Sequence, residues 1–149
     1  MKKMLILCTG NSCRSQIAHG YFAFFGKDTL DVYSAGIETH GVNPRAIATM
    51  EEDEIDISKH TSNHVDEYLY IPFDYILTVC DHAHEHCPYI PNQTALRIHH
   101  NFTDPSKLVS ENEEEIKGAF AATREEIKNL VMYPSRTLEK NFLQTDWHH

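Results

Sequence analysis

Between Met4 and Phe25 the chain passes from an unbroken apolar run, MLIL, through CTGNSCR, into SQIAHGYFAFF. A short continuous apolar run reads as a buried strand, and Ile17, Ala18, Tyr21, Phe22 and Phe25 recur at the spacing of one helical face. The same alternation continues. LDVYSAG (30–36) is a second strand ending at a glycine, and NPRAIATMEEDE begins with an Asn43 cap and Pro44 at the first helical position. HTSNHVDEYL reads as a short helix, FDYILTVC (73–80) as a buried strand and ALRIHHNF as a fourth strand. SENEEEIKGAFAATREEIKNLVMYP is a long acidic-faced helix with Ser110 as its expected cap and Ile116, Phe120, Ile127 and Val131 on its apolar side.

Strands separated by helices imply parallel pairing through right-handed crossovers. The expected fold is a small three-layer α/β sandwich on a four-stranded parallel sheet, one domain over residues 1–134. Residues 135–149 are weakly patterned and form an extension without an assigned role. Sheets of this kind bind ligands beyond the carboxyl ends of their strands. Cys8, Cys80 and the NFTDP segment all fall at such ends, so distant parts of the chain should converge on one edge.

The net charge is −9 and no basic run occurs, which argues against a nucleic-acid partner. No apolar run approaches the ~20 residues of a membrane span, and the apolar part of MKKMLIL falls short of the ~7–15 residues of a signal-peptide core. The expectation is a cytoplasmic monomer. Four cysteines, Cys8, Cys13, Cys80 and Cys87, would suggest structural bridges in a secreted chain. In a cytosolic one they shift weight toward catalysis or metal binding.

The first loop carries the clearest chemistry. Backbone N–H groups between a strand and a helix N-terminus make an anion nest, here from Thr9, Gly10, Asn11, Ser12, Cys13 and Arg14. The same field favours a thiolate at Cys8. Gly10 supplies backbone freedom, Asn11 can lock the loop, Arg14 can hold two oxygens of a tetrahedral oxyanion, and Ser15 can donate to the Cys8 sulfur. The competing reading is a buried structural cysteine beside an incidental arginine. Protonating a leaving oxygen needs an acid, and Asp104 in TDP is the candidate.

LCTGNSCRSQIAHGYF, YSAGIETHGVNPRAI and HHNFTDPS resemble the low-molecular-weight tyrosine phosphatase family, to about residue 133. The resemblance implies Cys8 as nucleophile, Arg14 as oxyanion clamp and Asp104 as general acid. TVCDHAHEHCP is similar to the redox element of thioredoxin-coupled arsenate reductases, which share that fold. Gln16, where phosphatases often carry proline, and a DPS segment without aromatic residues agree with this branch.

The resemblance implies reduction of arsenate to arsenite by a Cys8–Cys80–Cys87 thiol–disulfide relay, regenerated by thioredoxin or alternatively by glutathione and glutaredoxin. No cofactor is implied. The rival functions are a phosphatase acting on phosphotyrosine or small phosphate esters, and a non-catalytic redox sensor. Cys80 and Cys87 also have plainer readings, as a core cysteine and an exposed spare. HAHEHC could bind metal, since His82 and His86 lie one helical turn apart. Cys13 reads as a spectator or as an off-pathway partner of Cys8. Some family members carry a potassium site made with acidic side chains. The matching positions here, beside Asn11 and Ser34, are His19 and Asn63, which argues against a tight potassium site.

Overall fold

A computed structural model describes residues 1–86, 90 and 94–134. Cys87 and the extension 135–149 lie outside the described residues. The strands are β1 (Lys2–Cys8), β2 (Leu30–Gly36), β3 (Tyr75–Thr78) and β4 (Leu96–His99). The α-helices are α1 (Arg14–Phe25), α2 (Pro44–Glu52), α3 (Asp81–His86) and α4 (Glu113–Met132). The sheet is wholly parallel in the order β2-β1-β3-β4, as expected of an α/β chain.

The central position of β1 explains its composition. A strand flanked by β2 and β3 and covered by helices exposes neither face, and Met4 through Leu7 are fully buried. Helix α1 packs on β1, β2, α2 and α4, so it is enclosed rather than amphipathic. Even Ser15, Gln16 and Gly20 are buried beside Ile17, Ala18, Tyr21 and Phe22. Helix α4 buries Phe120, Ile127 and Val131, while Ile116 is half-buried.

Three local expectations change. HTSNHVDEYL holds only a 3-10 turn, Val65–Tyr68, because the residues before it are used in extended form. Gly36 N–H donates to the Asn63 carbonyl, and Gly36 bridges His64 in parallel. The cap of α4 is Asn112, whose Oδ1 accepts from the Glu114 and Glu115 N–H groups. Ser110 instead accepts from the Asn112 N–H and donates to the Glu115 carboxylate. Strands β3 and β4 are shorter than their apolar runs. The chain leaves the ladder after Thr78, and Val79 and Cys80 carry it to the carboxyl edge of the sheet.

Candidate active site

At that carboxyl edge a cavity of about 650 Å³ is lined by Cys8, Thr9, Gly10, Ser12, Cys13 and Arg14 from the first loop. Cys80, Asp81 and His82 close it from the start of α3, Asp104 and Lys107 from the segment after β4, and Glu38 and His40 from the segment after β2. Four chain segments thus converge as the topology requires.

The loop presents its amides because its carbonyls are tied off on the outside. The Thr9 carbonyl accepts from Glu38 N–H, Gly10 from His40 N–H and the Ser62 hydroxyl, and Ser12 from Asn43 N–H. The Asn11 carbonyl accepts from Gln16 Nε2 at 3.1 Å. No N–H of Gly10 to Cys13 is a donor in the hydrogen bonds among the described residues. Outward carbonyls leave inward donors, which is the geometry of an anion nest.

Asn11 is the pin. It is fully buried at φ 48°, in the left-handed region that asparagine tolerates better than most residues. Its Oδ1 accepts from the Asn63 N–H at 2.8 Å and its Nδ2 donates to Ser15 Oγ at 2.9 Å. The backbone freedom expected of Gly10 is therefore used one residue later. At Gly10 a Cβ would strike the exposed His40 imidazole, which would have to move aside. Gly36 is required by close approach, as a Cβ would strike the Glu38 carbonyl.

Arg14 is held ready. Its Nη1 donates to the Phe102 carbonyl at 2.9 Å, and its Nη2 lies 3.4 Å from Asp104 Oδ2. Asp104 Oδ1 accepts from the Ser106 N–H and hydroxyl, so the carboxylate is fixed from both sides. Ser15 differs from expectation. Its hydroxyl accepts from Asn11, and the hydrogen bond to the Cys8 sulfur comes from its backbone N–H.

Cys8 and Cys80 are both buried and line the same cavity. Cys8 beside it, and then the Thr9 hydroxyl at 3.4 Å and the Ala83 N–H at 3.4 Å, draw the Cys80 thiol below its usual range. Cys80 beside it and burial push the Cys8 thiol up, while Arg14 and the Ser15 N–H pull it down. The expected Cys8 thiolate thus belongs to a pair of thiols that titrate together. Cys13 is raised to about 12 by burial and then by the Asp104 charge, and so is an unreactive thiol at neutral pH.

The positions matched to the potassium site do not suit a hard cation. His19 Nδ1 pairs with Ser34 Oγ at 2.8 Å, and the His19 ring lies 4.4 Å from that of His60. Asn63 Nδ2 donates to Glu67, and the Asn11 oxygen is taken by Asn63 N–H. The oxygens a hard ion needs are spent on protein donors. Sequence reasoning noted Gln16 but missed its work. It joins the Asn11 and Thr61 carbonyls to His60, staking the anion loop to the 60–64 segment. His40, which backs Gly10, was also missed, and only tertiary contact identifies it.

Residues 3–142 match the family described as Low molecular weight phosphotyrosine protein phosphatase. An arsenate reductase of Halalkalibacterium halodurans is 46% identical over 130 residues, covering 87% of this chain and 92% of its own. One from Oceanobacillus iheyensis is 41% identical over 141 residues, covering 93% of this chain and 100% of its own. Among solved structures, an arsenate reductase in the phosphate binding state superposes with a TM-score of 0.66 at 30% identity. It covers 87% of this chain and 96% of its own. Vibrio vulnificus Wzb in complex with benzylphosphonate reaches a TM-score of 0.73 at 20% identity, covering 92% and 99%, which is a likeness of fold.

Proposed function

This chain belongs to the low molecular weight phosphotyrosine protein phosphatase family, and on that premise we propose that it reduces arsenate to arsenite through Cys8, Cys80 and Cys87. The observation that carries this reading is the second cysteine, Cys80, lining the same oxyanion cavity as Cys8. Hydrolysis of a phosphate ester needs one nucleophile. A second sulfur beside it suits chemistry that ends in a disulfide. The named similarity to arsenate reductases over most of the chain supports the same choice.

Arsenate would bind with its oxygens on the Gly10–Cys13 amides and the Arg14 guanidinium. The Cys8 sulfur attacks arsenic, one As–O bond breaks, and Asp104 protonates the departing oxygen. Attack needs the charge on Cys8. Within the pair, Arg14 and the Ser15 N–H favour that charge on Cys8. Cys80, once deprotonated, attacks the Cys8 sulfur. The S–As bonding pair stays on arsenic, so As(V) becomes As(III) and arsenite departs as the Cys8–Cys80 disulfide forms. The Cys87 thiolate then attacks the Cys80 sulfur, Cys8 leaves as a thiolate, and Cys80–Cys87 remains. An external dithiol, thioredoxin in this reading, returns two electrons by thiol–disulfide exchange.

The last exchange demands movement. Helix α3 occupies the six residues between the two cysteines, about 9 Å of rise at ~1.5 Å each. Disulfide geometry allows only about 4.4–6.8 Å between Cα atoms. Helix α3 must open when the bridge forms. The chemistry requires a thiol-reducing compartment, which makes the cytoplasm the proposed location, and one chain supplies every group, so a monomer suffices. No helix among the described residues is long and apolar enough to cross a membrane.

The second reading is phosphate-ester hydrolysis, favoured by the loop itself, since the nest and Arg14 suit phosphate equally. Arsenite production with thioredoxin, measured beside hydrolysis of an aryl phosphate, separates the two. Loss of arsenite production in Cys80→Ser with ester hydrolysis retained supports the reductase. Absence of arsenite from the wild type with any thiol donor overturns it.

A further inference from the structure

Helix α3 carries three histidines, and the fold uses only one. His84 stacks on His99 with ring centroids 4.2 Å apart. His99 in turn contacts Thr78 Oγ1 at 2.8 Å and Asp81 Oδ1 at 2.7 Å, which ties the start of α3 to β3 and β4. Ala83 faces the core. His82 and His86 occupy the remaining face. Both are exposed, their ring centroids are 4.4 Å apart, and neither imidazole hydrogen-bonds to another described residue.

Two imidazoles one helical turn apart at this spacing are close enough to close on one ion. With a metal–nitrogen bond of about 2.0–2.1 Å and a ring radius of about 1.1 Å, two imidazoles at right angles on one ion have centroids about 4.5 Å apart. Imidazole selects borderline divalent ions such as Ni²⁺, Cu²⁺ and Zn²⁺ over hard cations. The setting is also anionic, with Asp81 and Glu85 exposed on the same short helix and a net charge of −9.

We propose that His82 and His86 chelate a divalent transition-metal ion, and that the bound ion holds α3 helical and so slows formation of the Cys80–Cys87 disulfide. The chelate itself stands on the two imidazoles; its effect on turnover rests on the relay proposed above. Residues four apart meet on a helix but separate in an opened chain. An ion that needs both rings therefore binds the helical state better, and it shifts the equilibrium by that difference in affinity. Opening α3 is what the final exchange requires, so metal acts as a brake on regeneration at the rim of the oxyanion cavity.

Titration of Ni²⁺ into the reduced, chelator-stripped full chain tests the site. The expected result is one ion bound, with affinity reduced about tenfold or more in His82→Gln and in His86→Gln, since each leaves a single anchor. Cys8→Ser and a His148→Gln/His149→Gln double variant are expected to bind as wild type. Unchanged affinity in His86→Gln, or loss in Cys8→Ser or the tail variant, overturns the chelate. Amide exchange across residues 81–86 should slow on adding Ni²⁺ in the wild type and not in His86→Gln. Equal exchange with and without bound metal overturns the clamp. Arsenite turnover should then fall with Ni²⁺ in the wild type and be insensitive in His86→Gln, whose metal-free rate stays at the wild-type level. Equal sensitivity in both overturns the brake. If metal-free protein never forms the Cys80–Cys87 bridge, the relay fails, while Ni²⁺ affinity and amide protection still decide the chelate.

Discussion

The Thr9 hydroxyl lies 3.4 Å from the Cys80 sulfur, joining the loop after β1 to the first turn of α3 across the oxyanion cavity. Together with Cys8 and the Ala83 N–H, it draws the Cys80 thiol below its usual range. Removing this donor in Thr9→Val should raise the Cys80 thiol by about one unit, the worth of a single bond to a charged acceptor. The pH dependence of Cys80 alkylation, followed by mass spectrometry, checks this. An unchanged profile would show that Thr9 is a bystander.

Asn11 unites three demands that few residues meet together: a left-handed backbone, full burial and polar contacts on both sides of its amide. Asn11→Ala should destabilise the protein by about 2–4 kcal/mol, by leaving the Asn63 N–H unpartnered and straining the backbone. Urea unfolding measures the loss. Protection by inorganic phosphate should fall with it, because the same bonds aim the loop amides.

Gly10 and His40 form a packing pair, and their substitutions should not add. Gly10→Ala forces the imidazole away and should weaken phosphate binding about tenfold. His40→Ala in the same chain opens space for the new methyl group and should recover most of that loss. Additive effects in the double-mutant cycle would contradict the close approach.

Acid should weaken the fold through His19. Burial first, and then His60, lower its pKa from 6.5 to about 4, so the folded state keeps it neutral. Between those values the unfolded chain binds the extra proton, and stability therefore falls as pH drops from about 6.5 to 4. Full expression of a shift this size costs about 3 kcal/mol. His60 and His100 are also lowered by burial and add in the same direction. His19→Asn should flatten the dependence of unfolding free energy on pH across that interval.

Much of the architecture was readable because it is written locally. The Asn43–Pro44 start of α2, the Leu30–Gly36 strand and the apolar face of α4 each follow from a few adjacent residues. The spacing of Cys8, Arg14, Cys80 and Asp104 relative to strand ends also placed them on one edge, since strand ends share an edge in a parallel sheet. What escaped was tertiary. The extended 61–64 segment is fixed by Asn11 and Gly36, some thirty to fifty residues away, and overrides its helical pattern. The cap at Asn112 won over Ser110 through a choice between two similar acceptors that spacing cannot rank. The lowered Cys80 thiol depends on groups brought together only by the fold.

The central claim is that Cys8 and Cys80 supply the two electrons that reduce arsenic, and that the disulfide so formed passes to Cys87 only afterwards. The most direct measurement is the disulfide map of Cys87→Ser, quenched after mixing the reduced protein with excess arsenate. The relay predicts one arsenite released per chain and a trapped Cys8–Cys80 bridge. Continued wild-type turnover with thioredoxin, or arsenite release with Cys8 and Cys80 both left as free thiols, would contradict it.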